Sequence, residues 1–217
     1  MSGHGMHTAR QIKSSDLPAV ARVHLLAFPD SALTSLGAEA VRRYYHWQLT
    51  GPHDVVALCV VEGGDLTAFC FGGRFRGALG GFLRKNRGYL LWRVATRPWV
   101  LAGPIVRQRV GLALRSLGRR RFASQAAPIA RASTPRKPTF GILSIAVHPS
   151  KVGTGQAKHL MDCLEQAAQE RSFSGMHLTV SPKNRQAIRF YERLGWSRDL
   201  DVIGSWSGAM KKDLPSR

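Results

Sequence analysis

The sequence predicts an α/β fold built around one parallel strand–helix–strand unit, and three observations carry this prediction. Ile142–Val147 is a continuous apolar run, which is typical of a strand buried on both faces. Apolar residues then recur at helical spacing between Ala157 and Ala168. Met176–Val180 forms a second apolar run. Two strands joined by a helix in this way are expected to lie parallel in one sheet.

The N-terminal part of the chain predicts a strand, two helices and a hairpin. Arg10–Lys13 indicates a short first strand, and Pro18 opens a helix that Pro29 ends. A second helix is predicted over Ala38–Leu49 from its apolar spacing. Two β-rich runs around a glycine turn predict an antiparallel hairpin. The runs and their turn are Val55–Glu62, Leu66–Phe75 and Gly63-Gly64-Asp65.

Residues 77–139 form a basic insertion in this pattern. No acidic residue occurs between Asp65 and Asp162, whereas Arg and Lys are mixed with large apolar side chains. Two basic amphipathic helices and a proline-containing loop are predicted, at Leu79–Val94, Pro98–Leu117 and Ala126–Pro138. The 217 residues are therefore expected to form a single domain that carries one basic helical insertion.

Two further elements are predicted after the parallel unit. Apolar residues at helical spacing indicate a helix over Ala187–Leu194, and Gly195 suits the position that ends it. Val202–Met210 is predicted to supply the last strand.

The charge balance predicts anionic partners. Lys and Arg number 32 against 13 Asp and Glu, which gives a formal net charge of +19. Such an excess favours nucleotide phosphates, nucleic acid or acidic lipid as partners and disfavours polycationic ones. The three cysteines form no C-x-x-C pair, so neither a disulfide framework nor a structural zinc site is expected. With no apolar run of membrane-spanning length and no visible signal peptide, we expect a cytoplasmic protein.

A glycine-rich turn lies between the first strand of the parallel unit and its helix. Gly153-Thr154-Gly155-Gln156-Ala157 would let the backbone approach a ligand closely. The following helix N-terminus offers unpaired N–H groups and a positive dipole end, which suit a pyrophosphate. A Rossmann fingerprint would need glycine at Lys158, and a Walker loop would need Gly-Lys-Ser/Thr. A tight turn without a ligand is the alternative.

The segment Leu143–Trp196 resembles the core of the GNAT superfamily of acetyltransferases. Ile145-Ala-Val-His-Pro149 and Gly153-x-Gly-x-Ala157 resemble that family's acetyl-CoA motif, and the run from Asn184 to Trp196 resembles its partner motif. The resemblance implies the GNAT fold, a mixed and mostly antiparallel sheet with a central parallel strand–helix–strand unit. It also implies an acetyl-CoA-dependent N-acetyltransferase that needs no metal and acts on a primary amine.

The resemblance also implies residue roles. The pantetheine arm would pair with the backbone of Ile145, Ala146 and Val147. The pyrophosphate would lie on the loop formed by Val152, Gly153, Thr154, Gly155, Gln156 and Ala157. Asn184 would contact the cofactor arm, and Tyr191 would protonate the departing thiolate as general acid. Val152 stands where the family usually has Arg or Gln, so Lys151 is the candidate for that charge.

Several of these residues have a plainer alternative. Tyr191 could be a core tyrosine, Asn184 could cap its helix, and His148 is more readily structural than catalytic. The sequence selects no general base. Glu62, Asp65, His24 and Asp30 could act through a water, and a water chain to solvent is an equal alternative.

The basic insertion also has two interpretations. It could be a solvated helical cap, or it could recognise an anionic acceptor, with an amino sugar or nucleotide sugar favoured and Arg119-Arg120-Arg121 as its strongest charge cluster. Other acceptors left open are aminoacyl-tRNA and protein amines. Two further alternatives are a nucleic-acid-binding module with a non-catalytic GNAT core and a peripheral membrane protein. The oligomeric state is left open.

Overall fold

The computed structural model describes residues 8–96, 139–200 and 204–215. Its strands are β1 (Ala9–Gln11), β2 (Asp54–Glu62), β3 (Asp65–Arg74), β4 (Phe140–Val147), β5 (Gly175–Thr179), β6 (Ser197–Arg198) and β7 (Ala209–Asp213). Its helices are α1 (Leu17–Ala27), α2 (Ala32–Ser35), α3 (Ala38–Thr50), α4 (Ala78–Lys85), α5 (Arg87–Thr96), α6 (Gln156–Glu170) and α7 (Arg185–Arg193). Short 3₁₀ turns cover Ser14–Asp16 and Pro149–Lys151.

The described strands form one seven-stranded sheet in the order β1-β2-β3-β4-β5-β7-β6. The β4–β5 pair is parallel, and each other adjacent pair of these strands is antiparallel. Helix α6 makes the crossover between β4 and β5. The predicted fold class is therefore confirmed: a mixed, mostly antiparallel sheet contains one central parallel strand–helix–strand unit. The division into one domain with an insertion stays a prediction.

Both faces of the sheet are covered, because successive side chains of a strand point to opposite sides. On β3, Ala68 and Cys70 pack in the cluster that contains Leu160 and Leu164 of α6. The intervening residues of β3 join a second cluster with α1 and α3, whose members include Phe69, Phe71, Val20, Val41 and Tyr45. Each helix layer thus buries an apolar face, which is the main stabilising contribution to such a fold.

The described part of the insertion differs from its prediction. In place of one helix over Leu79–Val94, α4 and α5 are separate helices that meet at Asn86. Asn86 leaves the helical conformation, and its side-chain amide donates to the Phe82 carbonyl at 3.1 Å. A short polar side chain that bonds to the backbone competes with helix continuation. The predicted helix Pro98–Leu117, the loop Ala126–Pro138 and Arg119–Arg121 lie outside the described residues.

The prediction for Val202–Met210 is wrong over most of its length. Strand β7 begins only at Ala209, and the described residues before it, from Gly204 to Gly208, form bends and loop. Gly208 has φ +102°, and a Cβ there would lie 2.1 Å from the Val180 carbonyl oxygen. This left-handed conformation and close backbone approach interrupt the strand. The short elements α2 and β6 were not predicted.

Candidate active site

Strands β4 and β5 diverge after a short shared length. Their register pairs only Phe140 with Met176 and Gly141 with His177. Beyond Gly141, β4 keeps β3 as its neighbour, as far as Val147 opposite Ala68. Within the described structure, the other edge of β4 therefore has no strand neighbour over Ile142–Val147. Its backbone N–H and C=O groups can pair with an extended ligand there.

A bulge in β4 lies at the start of this open edge. Ile142 pairs with Gly72 and Ser144 with Phe71, so Leu143 is the extra residue between them. The expectation that Ile142–Val147 is buried on both faces is wrong for its second part. Four residues there are only half-buried, because β5 has moved away; they are Leu143, Ser144, Ile145 and Val147.

The glycine turn follows β4 and leads directly into α6. Gly153 has φ +87° and Gly155 has φ +90°, which are left-handed values that favour glycine. A Cβ built on either residue would meet no heavy atom of the structure within 4 Å. Gly155 is the N-cap of α6 and provides no side chain to cap it. The N–H groups of the first turn are thus left for an anion, and the turn has the space that a pyrophosphate needs.

The side chains around this turn are largely engaged with one another. Lys151 forms an ion pair with Glu62, with Nζ 2.9 Å from Oε1. Gln156 is fully buried; its Oε1 accepts from Thr67 at 3.0 Å and its Nε2 donates to Glu62 at 3.1 Å. Gln156 therefore has only its backbone amide to offer a ligand. Val152 is 56% exposed and adds no charge.

Helix α7 follows β5, the second strand of the parallel pair; Tyr191 lies within this helix and Asn184 just before it. Because β4 and β5 are parallel, α6 and α7 both begin near the carboxyl ends of these strands. Asn184 is the N-cap of α7, and its side chain accepts from the Ala187 N–H at 3.0 Å. Its capping role is thus present, and its contact with a cofactor stays a prediction.

Tyr191 is buried, with 8% of its surface exposed. Its ring packs against Phe190 and Trp196, with ring centroids 5.3 and 6.0 Å away. Burial raises the pKa of Tyr191 to about 12, so its hydroxyl is protonated at neutral pH, as a general acid requires. The packing and the acid role are compatible, and the acid role stays a prediction.

The histidine and acidic candidates for general base are either engaged in other contacts or exposed to solvent. His148 caps the 3₁₀ turn after β4, where its Nδ1 accepts from the Ser150 N–H at 3.3 Å. This contact supports the structural interpretation of His148. His24 is buried and hydrogen-bonded through both ring nitrogens, so it is not placed to contact a substrate directly. Glu62 is engaged in the ion pair described above, whereas Asp30 and Asp65 are exposed.

One polar contact of β4 was missed by the sequence analysis. The Ser144 hydroxyl lies 3.2 Å from the Tyr45 hydroxyl, which lies 2.9 Å from Nδ1 of His24. The run Ile142–Val147 is therefore not continuously apolar, as first described, because Ser144 interrupts it, and that interruption was the signal in the sequence. Tyr45 gave no such signal, since it follows the apolar spacing of α3.

A cationic cavity of about 320 Å³ lies where α3 meets α4 and α5. Its lining residues are Arg42, Arg43, His46, Trp47, Lys85 and Asn86. Cation–π contacts support two of the cations: Arg43 lies 4.4 Å from the ring centroid of Tyr89, and Lys85 lies 5.3 Å from that of Trp47. Glu39 pairs with both Arg42 and Arg43, each at 2.7 Å. The three cations around this cavity outnumber that single carboxylate, so the cavity suits an anionic group.

Three further findings concern metal binding, membrane-spanning helices and a cysteine nucleophile. Among residues 8–96, 139–200 and 204–215, no three His, Cys, Asp or Glu side chains are grouped so that they could hold a metal ion. Within the same ranges, no helix combines the length and apolar character needed to cross a membrane. Cys163 is half-buried and burial raises its thiol pKa, which disfavours it as a nucleophile.

The chain is similar in sequence and in structure to known acetyltransferases. Residues 119–196 match the family model of the acetyltransferase (GNAT) family. The ribosomal-protein-S18-alanine N-acetyltransferase of Escherichia coli has a TM-score of 0.54 and 15% identity, over 96% of this chain and 94% of that one.

Two other similar structures were solved with a coenzyme. The PaiA N-acetyltransferase of Thermoplasma acidophilum, in complex with coenzyme A, has a TM-score of 0.55 and 10% identity, over 99% of this chain and all of that one. The yncA protein of Salmonella typhimurium, with its cofactor acetyl-CoA, has a TM-score of 0.53 and 17% identity, over 98% and 96% of the two chains. These likenesses establish the fold, and within it residues 119–196 match the family model of the GNAT acetyltransferases.

Proposed function

We propose that this protein is a GNAT acetyltransferase that transfers an acetyl group from acetyl-CoA to a primary amine of an anionic acceptor. The observation that carries the proposal is the junction of an open β4 edge with a glycine turn at the N-terminus of α6. The edge offers hydrogen bonds to an extended arm, and the turn offers N–H groups to a pyrophosphate. Coenzyme A contains both parts in one molecule.

Each part of acetyl-CoA has residues that would bind it. The amides of Gly153–Ala157 would hold the pyrophosphate, and the backbone of Ile145–Val147 would pair with the pantetheine arm. Bound acetyl-CoA supplies a thioester whose carbonyl carbon the amine attacks as the thiolate leaves. Tyr191, which is protonated at neutral pH, would give its proton to that sulfur. The attacking amine would lose one proton through water to solvent.

The charge of the protein supports an anionic acceptor. The net charge is +19, and the cavity beside α3 is lined by Arg42, Arg43 and Lys85. A phosphate or nucleotide attached to an amino sugar would carry the negative charge that these side chains attract. We place the reaction in the cytoplasm, where the three cysteines are expected to stay reduced.

An acceptor screen tests the proposal. The full-length protein is incubated with acetyl-CoA and one amine at a time, and released thiol is measured. The amines are glucosamine, glucosamine 6-phosphate, a nucleotide-linked amino sugar, an aminoacyl-tRNA and a peptide with a free N-terminus. Glucosamine serves as the uncharged partner of its own phosphate. We expect the phosphorylated or nucleotide-linked amine to have the higher kcat/KM.

The result separates the alternatives. Preference for the tRNA or the peptide would replace the amino-sugar acceptor. If no amine is acetylated and calorimetry detects no acetyl-CoA binding, the proposal is wrong. Salt-dependent RNA binding in that case would favour a nucleic-acid-binding module, and sedimentation with anionic vesicles would favour a membrane-surface protein.

A further inference from the structure

A continuous chain of hydrogen-bonded groups leads from the open part of β4 to the segment after α1. Its members, in order, are Ser144, Tyr45, His24, Ser31, Thr34 and the main-chain carbonyl of Phe28. The mechanism above uses none of them. Four members carry a hydroxyl with one proton each, so the direction of donation in one contact constrains the next.

The Phe28 carbonyl determines the direction at the far end, because a carbonyl oxygen only accepts. The Thr34 hydroxyl donates its proton to this oxygen at 2.7 Å. Ser31 Oγ lies 2.9 Å from Thr34 Oγ1, so Ser31 must supply the proton of that contact. The backbone N–H of Thr34 donates to Ser31 Oγ at 3.0 Å. Ser31 therefore has no proton left for His24 and can only accept from it.

His24 transmits this direction to Tyr45. His24 is 6% exposed, and burial lowers its pKa to about 4, so the ring is neutral near pH 7 and carries one N–H. Nε2 faces Ser31 at 3.3 Å and must hold that proton. Nδ1 is then bare and accepts the Tyr45 hydroxyl proton at 2.9 Å. The hydroxyls of Tyr45 and Ser144 are 3.2 Å apart, and either could donate in isolation. Only donation by Ser144 gives every contact of the chain one proton, because the proton of Tyr45 is then used by Nδ1.

The consequence is that the Ser144 oxygen has only lone pairs to offer a ligand. Ser144 follows the bulge residue Leu143 and is half-buried in the part of β4 that β5 has left. A donor arm that starts at Gly153 and pairs with Ile145–Val147 reaches Ser144 next, about 10 Å beyond Val147 along the strand. This placement rests on the proposed function.

We propose that Ser144 binds the acceptor, with its hydroxyl oxygen accepting an N–H bond from the attacking primary amine. Tyr45 and His24 are positioning residues that hold the Ser144 proton away from the amine. An amine held by one N–H keeps its nitrogen beside the end of the donor arm, which is the orientation that attack requires. With the opposite direction of donation, Ser144 would offer a proton and would instead suit the oxygen of the thioester.

The first test measures the direction of the chain in the free protein. Nitrogen-15 NMR of full-length, histidine-labelled protein near pH 7 reports which ring nitrogen of His24 carries the proton. The signal is assigned by Tyr45→Phe, which removes the partner of Nδ1. We expect the proton on Nε2. A proton on Nδ1 would make Tyr45 the donor to Ser144 and overturn the proposal.

The second test compares Ser144→Ala with Ser144→Thr, which keeps a hydroxyl. With glucosamine 6-phosphate as the probe, we expect Ser144→Ala to lower kcat/KM for the amine about tenfold, as for one lost hydrogen bond. Ser144→Thr should recover most of this loss, and calorimetry should show unchanged acetyl-CoA affinity in both. Unchanged amine kinetics in Ser144→Ala, or lost acetyl-CoA binding, would contradict the role.

The two proposals fail in different ways. Absence of turnover with every amine of the screen removes the proposed function and the acceptor role with it, while the His24 tautomer remains measurable. Acetylation with normal Ser144→Ala kinetics removes the acceptor role alone.

Discussion

The ammonium of Lys151 lies 2.9 Å from the carboxylate of Glu62. Glu62 also accepts a hydrogen bond from Gln156, the first residue of α6, at 3.1 Å. The Glu62 carboxylate thus contacts both Lys151, which precedes the glycine turn, and Gln156, which begins the helix after it. Because Lys151 is the cation expected to compensate for Val152, its charge is partly neutralised by its own neighbour.

We expect Glu62→Gln to tighten acetyl-CoA binding. The change removes a negative charge beside the pyrophosphate site and releases Lys151, while the new amide oxygen can still accept from Gln156. An exposed charge pair is worth little, so the gain should be about two- to fivefold in Kd at low salt. Calorimetry measures it, and Glu165→Gln is the control, because it breaks the Glu165–Lys212 pair, away from the turn. Weaker binding in Glu62→Gln would contradict this account.

Gly155→Val should weaken acetyl-CoA binding about tenfold or more, on the order of 1.4 kcal/mol. A side chain at this position would enter the space left for the pyrophosphate and would strain a backbone with φ +90°. Gly64→Val is the control for strain, because Gly64 has φ +87° and open space around its Cβ position. Calorimetry that finds equal affinity in Gly155→Val and the wild type would remove the pyrophosphate from this turn.

Tyr191→Phe should lower kcat by about 10² to 10⁴ and leave acetyl-CoA affinity unchanged, because only the acidic proton is lost. Tyr44→Phe is a matched control, since burial also raises the pKa of Tyr44 to about 12. Steady-state rates across pH decide the outcome. If Tyr191→Phe keeps full turnover at every pH, Tyr191 is a packing residue.

The fold should lose stability as pH falls from about 6.5 toward 4. In the unfolded chain His24 has its ordinary pKa of 6.5, whereas burial lowers the folded pKa to about 4. The unfolded state therefore binds the proton first, and stability that is present above pH 6.5 is lost through this window, by about 3 kcal/mol at most. Urea unfolding at several pH values measures it. His24→Asn should flatten the decline, and an equal decline in that variant would assign it to other groups.

Neutralising the cavity should raise KM for an anionic amine. Arg43→Gln with Lys85→Gln removes two lining cations, so attraction and its dependence on salt should both weaken. A second variant, in which Arg119, Arg120 and Arg121 are neutralised together, tests the charge cluster of the insertion by the same measurement. Kinetics with glucosamine 6-phosphate at low and high salt show which cluster acts, and KM for acetyl-CoA should barely change. If neither set alters the amine kinetics, the basic charge plays no part in recognition.

The part of the site that the backbone itself forms was predictable from the sequence. A glycine turn between an apolar strand and an amphipathic helix identified Gly153–Ala157, because left-handed turns and helix N-termini have local residue preferences. The hairpin and the parallel unit were predicted for the same reason. The break at Asn86 was not, since whether a polar side chain ends a helix depends on what packs around it.

The sequence by itself determined the longer strands and helices of the core, that the charge is strongly positive, and which turn can approach an anion. These properties follow from local spacing and composition. Only the tertiary structure decided that β5 leaves β4 after Gly141, that Glu62 engages Lys151, and that His24 and Tyr45 join Ser144 from separate elements. These contacts join residues as many as 99 positions apart, and no local pattern encodes the packing that brings such residues together.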